Sequence, residues 1–265
     1  CFSLKKLTRF RSNLMKQRTK AKIQLTSLLD FIFPELQYLF SSKIHSKAIY
    51  ALLKKYPSTE EIAALKEDDI SNLLYASSKG HFKKEKSLEL KSLAKTSIGM
   101  KDSSISFHVI QWIELIELYE KQIKDMESKI ADIIHRLDSK LLSVPGISLI
   151  ACAIILGETN AIDNFSTSKK LLAFAGLDPK IRQSGNFNAS SCRMSKKGSP
   201  YLRYALIFTA WNCVRHSRKF NEYYLLKRSQ GKSHYNALGH VAHKLVRVIF
   251  TLLKKDILYQ EEKLD

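Results

Sequence analysis

The sequence predicts a mainly α chain: a helical bundle with one long coiled-coil-like helix, then a helix-hairpin-helix-like domain carrying a short irregular or hairpin insert. Three observations lead there. Only nine glycines and five prolines interrupt 265 residues, too few for a strand-and-turn architecture. Between Ser106 and Leu142 neither occurs, and Val109, Ile116, Ile123, Ile130 and Leu137 recur every seven residues. At the start of the chain Leu4, Leu7, Leu14, Ala21, Leu25, Leu28 and Ile32 recur at helical spacing.

The first of these segments is one long amphipathic helix ending before Pro34, with Lys5, Lys6, Arg9, Arg11, Lys16, Arg18, Lys20 and Lys22 largely between its apolar positions. A second helix is expected from about Ile44 to Lys55, stopping at Tyr56-Pro57 because the residue before proline disfavours the helical region. Ser58-Thr59-Glu60-Glu61 reads as a capping box, and several short helices should follow. In the long central helix the second seam position holds Ile113, Glu120, Glu127, Ile134 and Leu141, while Tyr119, Met126 and Ile133 widen the apolar stripe. Two glutamates thus interrupt the seam, which suits either a partner-facing, domain-spacing helix or a packed bundle helix. The run Ser143-Val144-Pro145-Gly146-Ile147-Ser148 breaks that helix and marks a domain boundary, followed by the apolar segment Leu149 to Leu156. Further helices fit Thr167 to Ala175 closed by Gly176, Pro200 to His216 opened by Ser199, and Ser233 to Lys255. Between Leu177 and Lys197 no helical period survives, and Ser184-Gly185-Asn186 signals a turn in a loop or short hairpin.

The charge balance narrows the function. Forty-four basic against 25 acidic residues leave a net charge of +19. From Lys180 to Lys255 nine Lys and seven Arg stand against the single acid Glu222. That asymmetry favours a nucleic acid over an anionic membrane surface or an ordinary solvated face. No apolar run approaches the roughly 20 residues of a membrane span. Cys1, Cys152, Cys192 and Cys213 form no CxxC pair, which suits reduced thiols in a cytoplasmic protein and disfavours zinc. The chain opens Cys1-Phe2-Ser3 instead of with methionine, so a missing upstream part is expected.

Several constellations could carry chemistry. At the break, Pro145, Gly146 and Ser148 resemble a hairpin turn whose backbone amides face a phosphate at the next helix start; a plain helix-breaking turn is the alternative. Ser184 lies in an accessible stretch near Arg182, Arg193, Lys196 and Lys197, which gives a nucleophile access and cations but no evident base. On residues alone a serine before Gly185 is a turn residue. Ser195, Lys196, Lys197 and Arg203 place a basic loop against a capped helix start, suited to a phosphate backbone, and Arg215, Arg218, Lys219, Lys227 and Arg228 could extend that track. Leu206, Ile207, Phe208 and Trp211 read as core rather than as base-stacking platforms. His240 and His243 are three apart without a third ligand, and Glu67, Asp68 and Asp69 read as solvated capping. No converging carboxylate cluster is evident.

The ordered series Leu142-Ser143-Val144-Pro145-Gly146-Ile147, Gly157-Glu158, Phe165, Leu171 to Pro179, Gln183-Ser184-Gly185, Ser195-Lys196-Lys197-Gly198 and Leu202-Arg203 resembles the C-terminal domain of the insertion sequence 110 family of transposases. The opening basic helix with Phe33-Pro34-Glu35 is similar to the end of that family's RuvC-like nuclease domain, and the 109–137 stripe to its coiled coil. The resemblance implies residues 1–40 as a nuclease-domain remnant, 41–142 as a helical spacer with a coiled coil, and 143–265 as the transposase domain.

It further implies an RNA-guided DNA recombinase in which a serine forms a covalent link to DNA. Ser184 occupies that position, with Ser195 the fallback. Mg²⁺ would be bound by the four carboxylates of a RuvC-like domain preceding the basic helix, so none is expected in this segment, which alone should be inactive. DNA, a guide RNA and further copies of the chain through the 106–142 helix are the implied partners. A non-catalytic nucleic-acid-binding module or decayed relic, and a structural oligomerisation protein, are the alternatives.

Overall fold

The computed structural model describes residues 2–179, 183–184, 187–188 and 194–263. The chain folds as two compact units, residues 13–124 and residues 1–12 with 125–265. Their limits lie inside two long helices and cut across the division at residues 40 and 142 read above.

The 13–124 unit takes most of α1 (Phe2–Ile32), then α2 (Glu35–Phe40), α3 (Lys47–Lys55), α4 (Thr59–Ala64), α5 (Glu67–Ser78), α6 (Lys84–Thr96) and the beginning of α7 (Ser103–Leu137). α1 stops at the residue pair before Pro34, which cannot donate the next helical hydrogen bond. α3 begins later than expected, after a 3-10 turn at Ser41–Lys43. The capping box opens α4 as the sequence required: Glu61 N donates to Ser58 Oγ at 3.2 Å and Ser58 N to Glu61 Oε2 at 3.1 Å. In the core, Leu25, Leu29 and Ile32 of α1 meet Val109, Ile113 and Ile116 of α7, together with Ile49, Leu53, Ile70 and Leu90. Lys22 Nζ donates to Glu120 Oε1 at 3.0 Å.

The second unit takes the first turns of α1, the remainder of α7, a 3-10 turn (Lys140–Ser143), α8 (Leu149–Thr159), α9 (Ser168–Phe174), the ribbon β1 (Gln183–Ser184) and β2 (Phe187–Asn188), α10 (Pro200–His216), α11 (Arg218–Ser229) and α12 (His234–Lys255). α12 is its axis: Leu238, Val241, Ala242, Leu245, Val246, Ile249 and Leu252 form a buried stripe at helical spacing. Leu4 meets Ile130 and Ile134 in the same core, and Arg11 donates to Glu127 Oε1 from Nε at 2.8 Å. Each of α8 to α12 opens on a hydroxyl that accepts from a backbone amide, from Ser148, Thr167, Ser199, Ser217 and Ser233. Such caps contribute about 1 kcal/mol apiece.

Three readings are sharpened. The α7 seam, which suited either a partner-facing or a packed bundle helix, is buried within its own chain from Val109 to Ile134 while Leu137 is 47% exposed, and Glu120 and Glu127 accept from cations of α1. α7 ends at Leu137, not Leu142, because Asp138 turns into the left-handed region at φ 43°. The first arm of the hairpin-like turn is therefore the short 3-10 helix. α11 is a separate helix that the reading did not resolve. The irregular 177–197 stretch includes the ribbon, in which Ser184 pairs with Phe187 and Gln183 with Asn188 in antiparallel register. Among the described residues no helix is long and apolar enough to cross a membrane.

The Pro145-Gly146 turn has a packing explanation. Ile147 N donates to Val144 O at 3.1 Å, and Gly146, at φ 98°, completes a turn with proline leading and glycine following. A Cβ on Gly146 would lie 2.6 Å from Cys213 N, so the missing side chain lets the turn touch the backbone of α10. Gly146→Ala is expected to destabilise the protein by about 2–4 kcal/mol, combining strained backbone with overpacking. Urea unfolding followed by circular dichroism measures this, and an unchanged midpoint would show that the turn tolerates a side chain.

Candidate nucleic-acid interface

The insert that carries Ser184 is held by two converging strands of irregular backbone, residues 175–179 and 194–199. Ser195 N donates to Asp178 O at 2.8 Å, Lys196 N to Gly176 O at 3.1 Å and Ser199 N to Phe174 O at 3.0 Å, while Pro179 and Met194 form an antiparallel bridge. Gly198 is required here: a Cβ would fall 1.8 Å from the Phe174 carbonyl oxygen. Arg203 Nη1 donates to Ala175 O at 3.2 Å, and the His243 Nε2 to Leu177 O contact is 3.0 Å, so α10 and α12 brace the same strand.

Beneath this stem sits a buried charge. Glu158, at the end of α8, is 2% exposed. Arg9 of α1 donates to its two carboxylate oxygens from Nε at 2.7 Å and Nη2 at 2.9 Å, and Ser199 Oγ donates at 2.9 Å. The same Ser199 caps α10, and the Arg9 guanidinium lies 5.0 Å from the Tyr201 ring centre. Burial alone would push the Glu158 carboxyl up; the hydrogen bonds from Arg9 and Ser199 outweigh it and hold the carboxyl below its ordinary value. One ion pair thus joins α1, α8 and the start of α10.

The residues named from sequence are distributed around this frame. Lys196 and Lys197 are exposed at the stem's outer turn, and Arg203 is half-buried beside it. Ser195 Oγ donates to Asp178 Oδ1 at 2.5 Å, giving that hydroxyl a carboxylate neighbour that spacing did not reveal. Pro145 and Gly146 are half-buried, and Ser148 is exposed and caps α8 by accepting from Ala151 N at 3.2 Å. Ser184 stands in β1, its side chain outside the described residues, as are Arg182, Gly185 and Arg193. Arg215, Arg218 and Arg228 are exposed, and Arg218 pairs with Glu222 at 2.7 Å.

Other readings resolve. Leu206 is core at 1% exposure, but Phe208 and Trp211 are 50% and 36% exposed, which corrects their assignment to the interior. Burial pushes the Cys152 thiol up to about 11 and the Cys213 thiol up to about 12, which makes both unreactive. Among the described residues no group of three or more His, Cys, Asp or Glu could hold a metal ion.

Residues 138–225, running from the end of α7 through most of α11, match the model of the Transposase IS116/IS110/IS902 family. The match covers about a third of the chain. It is 21% identical to the insertion element IS110 uncharacterized 43.6 kDa protein of Streptomyces coelicolor (strain ATCC BAA-471 / A3(2) / M145), over 96% of this chain and 63% of that protein. It is 22% identical to the insertion element IS116 uncharacterized 44.8 kDa protein of Streptomyces clavuligerus, over 97% of this chain and 65% of the relative. With the transposase for insertion sequence element IS1111A of Coxiella burnetii (strain RSA 493 / Nine Mile phase I), it shares 26% identity over 56% of this chain and 40% of that protein. The chain thus spans less than two thirds of each of these relatives.

The matched segment, residues 138–225, includes Glu158, both sides of the stem and the capped start of α10, so the ion pair described above lies in its frame. Because the folded Glu158 carboxyl titrates below the ordinary glutamate value of 4.5, its stabilisation is complete above that value and is lost as pH falls through the folded one. Glu158→Gln should therefore flatten the acid side of a stability-against-pH curve from about pH 5 downward. At neutral pH Arg9→Ala should cost about 2–3 kcal/mol, less than for a fully enclosed pair because the Arg9 side chain is 41% exposed. Chemical unfolding across pH tests both, and an unaltered acid limb in Glu158→Gln would remove Glu158 from this role.

Proposed function

We propose that this chain is the DNA-handling part of an insertion-sequence transposase, working in the cytoplasm with Ser184 as its nucleophile. The observation that carries the reading is the match over residues 138–225, because that segment contains the ribbon with Ser184 and the lysine-bearing stem beside it. The charge of the region supports it: a surface this rich in Lys and Arg neutralises backbone phosphates and gains affinity from released counterions. Lys196, Lys197 and Arg203 grip the DNA backbone, joined by Arg182, Arg193 and the backbone N–H groups of Gly146 and Ser148 in the turn that Pro145 sets.

The reaction is a transesterification. A bond forms between Ser184 Oγ and a DNA phosphorus as the phosphorus–oxygen bond to one deoxyribose breaks, and the serine proton ends on the departing oxygen. Neighbouring cations offset the charge that develops on phosphorus. Ser195, with Asp178 beside its hydroxyl, is the second candidate nucleophile. The family resemblance also implies Mg²⁺, but the described residues offer no fitting cluster, and no step here depends on it. A guide RNA partner rests on the resemblance alone. Self-association through the 106–142 helix is also implied by it.

Two measurements test the reading. In the full gene product, covalent protein–DNA adducts on denaturing gels should vanish in Ser184→Ala and persist in Ser195→Ala; the reverse pattern moves the nucleophile to Ser195. Adducts from neither protein, with DNA binding intact, favour a non-catalytic module. In the second measurement, log affinity for duplex DNA should fall linearly with log salt, and Lys196→Ala and Lys197→Ala should each lower that slope by roughly one. Salt-insensitive or absent binding overturns the DNA reading.

A further inference from the structure

α10 is apolar on two faces. Leu202, Ala205, Leu206, Thr209, Ala210 and Cys213 point into the core. On the other side Tyr204 is 67% exposed, followed at helical spacing by Phe208 and Trp211, and the first turn of α12 adds Tyr235 at 78%. With Arg203 these rings line an open groove of about 410 Å³. A core helix needs only one apolar face, so the second calls for an occupant.

The rings are ordered in advance. Tyr204 and Phe208 lie nearly parallel, 11° apart in plane, with centres separated by 5.9 Å. Trp211 meets His234 edge to face at 5.2 Å, and His234 Nδ1 is 2.7 Å from the Tyr224 hydroxyl. Little side-chain freedom near Trp211 is left to lose on binding.

Charge selects the occupant. Neither α10 nor α12 contains an Asp or Glu. Arg203 lies in the groove, and Lys196 and Lys197 precede the start of α10. A partner that offers flat π faces together with negative charge is a nucleic acid, and only unpaired bases expose those faces. Location favours DNA: Met194, on the stem of the Ser184 ribbon, lies against Gly239 of α12, the helix that forms the other wall. We propose that this groove is a stacking platform for unpaired bases of the DNA strand next to the cleavage position, an inference that rests on the DNA-handling reading above.

The test compares a short single-stranded DNA oligonucleotide with its duplex, at fixed salt, on the wild-type chain, Tyr204→Ala/Tyr235→Ala and Tyr204→Phe/Tyr235→Phe. Both positions are exposed, so matching thermal melts are expected for the three proteins. Loss of two stacked rings should weaken single-strand binding about tenfold or more, with duplex affinity changed by less than about twofold and the phenylalanine variant retaining binding. A 2-aminopurine in the strand should be quenched by wild type and not by the alanine variant. If the alanine variant binds the single strand as wild type does while salt-dependent duplex binding persists, the platform is wrong and the DNA reading stands. If wild type binds neither form in a salt-dependent way, both fail together. A defect seen with RNA but not DNA, or loss of a dimer detected by light scattering, also overturns the proposal, assigning the groove to RNA or to a second copy.

Discussion

A carboxylate removed from water is tolerable only when cations and hydroxyls replace the lost solvent, and the second unit is arranged around one such group. Glu158 holds Arg9 and Ser199 at hydrogen-bond distance, and Ser199 is also the cap of α10 and a backbone partner of Phe174. Three helices and the stem of the insert are thereby fixed to a common point. The strength of the arrangement lies in its geometry: a bidentate arginine and one hydroxyl satisfy a buried charge that would otherwise be costly. Loss of any member leaves the others wrongly partnered.

The stem built on that point separates structural from chemical duties. Gly176 and Gly198 bring two backbones close enough to exchange hydrogen bonds, while Lys196 and Lys197 remain exposed. A hydrogen-bonded backbone below and exposed charge above is an arrangement suited to gripping a phosphate chain. Asp178 belongs to both duties: its carbonyl accepts from Ser195 N and its carboxylate from Ser195 Oγ.

The two glutamates in the α7 stripe make a related point about reading polar residues at apolar positions. As interruptions of a seam they suited either a partner-facing helix or a packed bundle helix. In the fold each receives a cation from α1, Lys22 on Glu120 and Arg11 on Glu127. The apolar positions around them are buried in the chain's own cores, so a periodic stripe reported a helix partner correctly without revealing whose helix it was.

What local chemistry dictates was readable in advance. Pro34 ends α1, the Ser58–Glu61 box opens α4, and Ser148, Thr167, Ser199 and Ser233 mark helix starts, because capping and proline effects act within a few residues. The mainly helical class and the cationic second half follow likewise from residue type and spacing. Tertiary structure alone decided the rest. Glu158 meets Arg9 across 149 positions of chain, a pairing that no local pattern encodes. The close approach of Gly146 to the α10 backbone at Cys213 is likewise a long-range contact. Phe208 and Trp211 share a helix with Leu206 and are equally apolar, yet only Leu206 is covered, since burial depends on which face the neighbouring helices occupy.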